Sequence, residues 1–342
     1  MKASITNPVY SARLVKDNGT TYRLKDITTN LIVAHPKDEL AEKVSLTLVN
    51  IKVGSSKLID LISVKDRLYV NANTGSGDKE VFSGIVWARE VSEDSDANEI
   101  QLTGYDRLIY WHKSKDNFFA KAGKKTNTVI SSIASKWGLK ISYKYLSITH
   151  AKLTYHDESI ADIVIDILNK VKKQTGVDYI IHMDGGTIII EPVGSNKTVY
   201  KLSDKENALS SYYKQTMEGM VTKVLIVKAE TTKNGNSEEE TGNYLTVASV
   251  SKNTGTYGTL QEIITISKDE KVSEAKEEAN QTLKDNATPK VEEEVKAVDI
   301  PWVKKGHQIY ISAGKFNGYY IVDGIEHDST DGVMYMEVSK YE

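Results

Sequence analysis

The polarity pattern of this chain changes period twice, from two to about 3.6 and back to two, and that order limits the fold more than any other feature. Val44, Leu46 and Leu48 alternate with Ser45, Thr47 and Val49, and Ile100 and Leu102 alternate with Gln101 and Thr103. Leu68-Tyr69-Val70 and the apolar run Val81 to Ala88 lie between them. Alternate residues of a strand point to opposite faces, so strands of this kind bury one face and wet the other. Turn-forming residues separate them, at Asn73-Thr74-Gly75-Ser76-Gly77-Asp78 and at Glu93-Asp94-Ser95-Asp96. Residues 1–111 therefore read as an antiparallel, barrel-like β-domain.

The helical period follows. Ile160, Ile163, Val164, Ile167, Leu168 and Val171 recur at spacings of three and four, and Gly176 sits where a C-cap belongs. Thr126 is placed to cap a shorter helix over Thr128 to Trp137, with Gly138 as its stop. Val177 to Met183 and Thr187 to Val193 flank Asp184-Gly185-Gly186, a hairpin signal. Residues 112–200 thus read as a small α+β domain. Strands return in 201–342, with Ile309 and Ile311 alternating against Gln308 and Tyr310, and Met334, Met336 and Val338 against Tyr335 and Glu337. Within that domain the polar stretch 229–258 reads as an exposed loop that orders against a neighbour, and 273–286 as an amphipathic helix ended by Pro289. The expected class is α+β, mainly antiparallel β, with two similar β-barrel-like domains separated by a small α+β domain.

The two β-domains share an order of marks. Tyr69 precedes a turn, Phe82 and Gly84, an acidic turn, and a strand closing at Tyr105. Near the C-terminus Tyr310 precedes a turn, Phe316 and Gly318, the acidic turn Asp328 to Gly332, and a strand closing at Tyr341. A duplicated β-unit in one chain means that three chains in a closed ring present six similar units, which fits a threefold body to a sixfold one.

Composition removes whole classes of chemistry. No cysteine is present, which excludes a disulfide framework, a thiolate nucleophile, an iron–sulfur cluster and sulfur-ligated zinc. Lys and Arg number 44 against 47 Asp and Glu, a net −3, too balanced to seize nucleic acid or anionic lipid by charge. No run approaches the ~18 apolar residues of a membrane span, and the N-terminal residues lack a signal-peptide core, so the expectation is synthesis in the cytosol and no membrane.

The candidate reactive clusters are weak. His150 and His156, with Asp157 and Glu158, carry imidazoles six apart rather than the four that places two ligands on one helix face, and the segment reads as the approach to a helix. Lys113, Lys115, Lys121, Lys124 and Lys125 with Phe118 and Phe119 combine the parts of a single-strand nucleic-acid binder, but outside any such module they read as a solvated linker anchored by its aromatics. Gly75 and Gly77 are hairpin glycines, not a phosphate cradle. Glu292, Glu293 and Glu294 are adjacent carboxylates with no readable partner across a sugar. No Gly-x-Ser-x-Gly elbow accompanies the seven histidines.

Taken together, Phe82-Ser83-Gly84, Gly104-Tyr105-Asp106-Arg107-Leu108, Trp137-Gly138-Leu139, Gly306-x-x-Ile309-Tyr310-Ile311, Gly318-Tyr319-Tyr320-Ile321-Val322 and His327 resemble, in their order, the baseplate hub proteins of contractile tails. The resemblance is to the hub of PBSX-like prophages and related tail-derived bacteriocins. It implies a structural protein with no catalytic residue, cofactor or metal. It implies a homotrimer whose two β-domains per chain form a pseudo-hexameric ring joining the tail tube to the central spike, in contact with other baseplate proteins. DNA or a tape-measure protein would pass through the lumen without specific binding. The particle, a phage, defective prophage or bacteriocin, would carry the chain in its baseplate after assembly in the bacterial host cytoplasm. The competing readings are a cell-wall-degrading or a cell-surface-binding tail component.

Overall fold

The structure, a computed structural model, describes residues 7–93, 98–144, 146–234, 237–266 and 271–341. The chain divides into two compact units, 1–212 with 293–342, and 213–292.

Most strands join one sheet. Its order is Ala208–Thr216, Lys290–Val298, Val333–Lys340, Phe316–Asp328, Thr28–His35, Lys43–Val49, Asn98–Tyr105, Asp78–Glu93, Arg67–Asn73, Val9–Val15, Thr21–Arg23. Tyr200–Ser203 and Gln308–Ala313 pair off this path. The path is open, and among the described residues no pairing closes it into a barrel. All its pairs with a printed register are antiparallel except Tyr200–Ser203 on Gln308–Ala313. The N-terminal meander (Arg67–Asn73, Asp78–Glu93, Asn98–Tyr105) and the C-terminal meander (Gln308–Ala313, Phe316–Asp328, Val333–Lys340) are joined by one hairpin. Its strand Lys43–Val49 pairs with Asn98–Tyr105, and its strand Thr28–His35 with the end of Phe316–Asp328.

The alternation is realised as burial. Val44, Leu46 and Leu48 face a core with Leu68, Val70, Phe82, Ile100 and Leu102, whereas Ile309, Ile311, Phe316, Val322, Met334 and Met336 face another. A third core gathers the α+β segment: Trp111, Ile130, Val164, Ile167, Ile188 and Ile190. The helix Ile160–Thr175 that supplies its stripe is capped by Ser159, whose Oγ accepts the Asp162 N–H at 3.0 Å, and ends at Gly176 in the left-handed region.

Three expectations need correction. Thr126 is not an N-cap. It is the first residue of the helix Thr126–Lys136, and its hydroxyl lies 2.9 Å from His150 Nε2. The segment containing Phe118 and Phe119 is not a linker but the strand Lys115–Ala120, paired with Leu153–Ser159. Nor is 229–258 a loop. Lys223–Asn234 and Ser237–Ser251 run through it as a long hairpin, with Lys233 opposite Glu238 and Thr232 opposite Glu239. Polar β-branched and charged residues satisfy a ladder as well as apolar ones do, and here they hide the period. Residues 94–96 of the expected acidic turn, and Gly235 and Asn236, lie outside the described residues.

The 213–292 unit has its own small core. Gln261–Ile266 lies parallel to Lys223–Asn234, and Val224, Ile226 and Ile266 pack against Ala275, Ala279 and Leu283 of the helix Val272–Asn286.

Candidate functional site

The register of the two meanders can be compared directly at the marked residues. In the N-terminal meander Val70 stands opposite Phe82 and Leu68 opposite Gly84, whereas in the C-terminal one Ala313 stands opposite Phe316 and Ile311 opposite Gly318. Aligning Leu68-Tyr69-Val70 on Ile309-Tyr310-Ile311, the first strand has slipped by two residues. An even slip leaves every side chain on its original face, so Phe82 and Phe316 are both buried. The closing tyrosines agree without any slip. Tyr105 stands opposite Ile85, three residues beyond Phe82, and Tyr341 donates its backbone N–H to the Tyr319 carbonyl at 2.9 Å, three residues beyond Phe316. The Arg13 guanidinium lies 4.1 Å above the Tyr69 ring, while Tyr310 meets Tyr319 edge-on at 5.2 Å. The two glycines serve different purposes. A Cβ on Gly84 would fall 2.2 Å from the Tyr105 carbonyl oxygen, whereas Gly318 has open space and a φ of +135°.

A buried polar network ties distant parts of the first unit together. Tyr10 donates its hydroxyl to Asp299 Oδ2 at 2.6 Å, Asp299 Oδ1 lies 2.6 Å from His327 Nδ1, and His327 Nε2 lies 3.0 Å from the Val303 carbonyl. Burial, reinforced by the Asp299 carboxylate, holds the Tyr10 hydroxyl far above its ordinary range. Lys305 donates to the carbonyls of Pro36, Lys37 and Glu39 at 2.7, 2.7 and 2.8 Å, and burial brings its amine down to about 8. Burial and the Lys305 charge push His35 down to about 3, and burial with Lys304 pushes His307 down to about 4. His307 Nδ1 accepts the Lys304 N–H, which requires a neutral ring at that atom. An Asp–His pair invites comparison with a hydrolase relay. Here the far imidazole nitrogen meets a backbone carbonyl and not a nucleophile, so the arrangement fastens loops and starts no reaction.

The sequence clusters do not converge. His150 contacts Thr126, whereas His156 Nδ1 lies 2.5 Å from Asn117 Oδ1. Among the described residues no group of three or more His, Asp and Glu could hold a metal ion. Lys115 pairs with Asp157 and Lys136 with Asp116, Phe118 packs near Tyr155, and Phe119 remains exposed. Gly75 and Gly77 are in the first meander's turn with φ near +97° and +98°.

What sequence reasoning missed is set by register. Glu294 stands directly opposite Glu337, and both line a groove of about 440 Å³ with Glu326, Lys296, Ser210 and Tyr212 near one end of the large sheet. At the other end Arg13 stands directly opposite Arg23. Like charges facing each other across a ladder are unfavourable, and no local pattern announces them.

A family model described as YQBQ-like matches residues 37–339. The Phage-like element PBSX protein XkdQ of Bacillus subtilis (strain 168) is 26% identical over 271 residues, covering 76% of this chain and 78% of that protein. The fold is also that of the 43 kDa tail protein of prophage MuSo2 from Shewanella oneidensis, with a TM-score of 0.68 at 12% identity over 97% of this chain and 98% of the other. The tail protein from Neisseria meningitidis MC58 superposes with a TM-score of 0.64, again at 12% identity, over 98% and 97% of the two chains.

Proposed function

The chain belongs to the YQBQ-like family, and from that membership we propose that it is a structural subunit of a phage tail baseplate, the hub of a PBSX-like contractile tail or tail-like particle. Three copies form a pseudo-hexameric ring between the hexameric tube and the trimeric spike. Residues 1–111 and 201–342 supply the two like units of each copy, the second interrupted by 213–292, and 112–200 lies between them in sequence. The observation that carries this reading is the pair of meanders, alike in strand order, in buried Phe82 and Phe316, and in closing tyrosines, within a fold shared along nearly its whole length with prophage tail proteins.

The physical requirements of such a ring suit the chain. A hub must hold through sheath contraction, and a buried, fully bonded network such as Tyr10–Asp299–His327 resists shear between loops better than apolar contact alone. It must also let a polyanion pass. A lumen crowded with Lys and Arg would retain phosphate by counterion release, and a net charge of −3 leaves room for a lumen poor in them. The role is mechanical, and purified protein is expected to give no clearing on a peptidoglycan zymogram.

Light scattering tests the reading. The expected result is the mass of three 38.1 kDa chains, alone or after mixing with candidate tube and spike proteins of the same particle. A monomer that stays monomeric with both neighbours overturns it.

A further inference from the structure

The net charge of −3 conceals a local imbalance. Residues 112–200 carry 13 Lys and no Arg against eight Asp and Glu, a net +5, so the remainder of the chain carries −8. Within them the 40 residues from Asn117 to His156 hold seven Lys and no Asp or Glu. Two of the seven are neutralised from outside the stretch, Lys136 by Asp116 at 2.6 Å and Lys144 by Glu191 at 3.1 Å. Lys121, Lys124, Lys125 and Lys152 are exposed, and among the described residues none of the four is in an ion pair.

The fold gathers these four. In the ribbon of Lys115–Ala120 and Leu153–Ser159, Phe119 stands opposite Thr154 and Ala120 opposite Leu153. Phe118, Ala120, Leu153 and Tyr155 pack into the core, so Phe119 turns outward and is 55% exposed. Alternate residues share a face, which sets Lys121 and Lys152 on the same outer side, and the Lys152 amine lies 5.5 Å from the centre of the Phe119 ring. Beyond the ribbon the two segments stay side by side. Gly123 donates its N–H to the His150 carbonyl and His150 donates its own to the Lys124 carbonyl, each at 2.9 Å, and Lys125 bridges to Thr149. Phe119, Lys121, Lys124 and Lys125 therefore follow one another along a lip, with Lys152 beside them. At about 3.3 Å per residue the lip is at most about 20 Å long.

Charges strung along a line suit a chain of negative groups better than a single anion. The helix Thr126–Lys136 adds no pocket for one, because its first N–H groups are already taken, by the Ile148 carbonyl at 3.0 Å, Ser147 Oγ at 3.4 Å and Asn127 Oδ1 at 2.9 Å. Phe119 chooses among polyanions. A flat exposed ring on the lysine-bearing face is a surface on which a nucleobase stacks, whereas polyphosphate or a run of carboxylates gains nothing from it. Lysine brings a point charge without the bidentate fork of arginine, so no reading of base identity is expected. We infer that residues 117–156 form a binding surface for single-stranded nucleic acid, indifferent to sequence, with backbone phosphates along Lys121, Lys124, Lys125 and Lys152 and a base stacked on Phe119. The inference goes beyond the hub reading and does not rest on it.

Fluorescence anisotropy of a labelled oligothymidylate, about 16 nucleotides long to span one single-strand module, measures the binding. The natural chain is expected to bind with a Kd of about 10⁻⁵ M near physiological salt, and log K to fall against log salt with a slope of about −3, roughly −0.7 for each of four phosphates. K121Q/K124Q/K125Q/K152Q is expected to weaken binding about tenfold or more and to flatten that slope. K25Q/K52Q/K201Q/K205Q removes the same charge from exposed positions elsewhere and is expected to stay within about twofold of the natural chain. Equal losses in the two variants would show attraction with no address, and either that result or no binding by the natural chain up to about 1 mM overturns the proposal.

Phe119 gives the second readout. Phe119→Leu keeps an apolar strand residue and all the charge, and is expected to weaken oligothymidylate binding about fivefold or more while leaving displacement by polyphosphate unchanged. Full oligothymidylate affinity in Phe119→Leu, with a native far-UV spectrum, would remove the stacked base. Polyphosphate or polyglutamate that displaces the oligonucleotide from the natural chain equally well, charge for charge, would make the lip a site for a different polyanion and overturn the assignment to nucleic acid.

Discussion

Residue by residue, the strongest constraints are steric and protonic. Gly84 and Gly318 each lie two residues after a buried Phe, yet they fail differently when changed. In Gly84→Ala the new methyl meets the Tyr105 carbonyl at 2.2 Å, a backbone atom that cannot swing away, and the expected loss is about 4 kcal/mol or more. Gly318→Ala meets nothing and bears only the strain of its positive φ, about 1 to 2 kcal/mol. Urea midpoints of the two variants should fall in that order, and equal losses would deny the difference in packing. The buried histidines set an acid limit. His35 is depressed from 6.5 to about 3 in the folded chain, so the unfolded chain takes up its proton first as pH falls. The stability this neutral ring contributes is complete above pH 6.5 and drains away toward pH 3. His35→Gln, whose amide can still reach the Leu40 carbonyl, is expected to flatten the melting temperature against pH in that interval, with His307 supplying the residual slope. A profile as steep as the natural chain's would show that His35 is not the proton acceptor.

At the level of elements, legibility follows the core. Lys43–Val49, Gln308–Ala313 and Ile160–Thr175 each present one face to packed side chains, and each could be read from its spacing. Phe118 and Ala120 of Lys115–Ala120, and Ala248 and Val250 of the long hairpin, pack against cores, but the polar and charged residues between them in sequence hide the period. Thr126 had the right residue type for a cap, but its hydroxyl is taken by His150 and the Ile148 segment, a contact no local window contains. The two-residue slip between meanders was equally hidden, because an even slip leaves the alternation unchanged. Ser159 is the clean local case. Ser159→Ala removes the oxygen that accepts the Asp162 N–H and should cost about 1 kcal/mol by chemical denaturation, with Ser159→Asp close to the natural chain.

For the whole molecule, the arrangement of cores predicts which part can be spared. The 213–292 unit closes its own core around Val224, Ile226 and Leu283. Ala208–Thr216 and Lys290–Val298 are neighbouring strands, so a short Gly-Ser linker from Tyr212 to Glu293 removes the unit. The shortened chain is expected to unfold cooperatively within about 5 °C of the natural one by calorimetry, and loss of cooperativity would show that the first unit depends on the excised residues. The Tyr10–Asp299 bond spans 289 residues, and the strand Thr28–His35 is completed on its far side by Ile325–Asp328. During synthesis at roughly 5 to 20 residues per second, Tyr10 waits about 15 to 60 s for its partner to be made. Over that interval the ribosome holds an unfinished sheet whose central strand has one bare edge, and copies growing side by side on one message risk pairing with each other before they can pair with themselves.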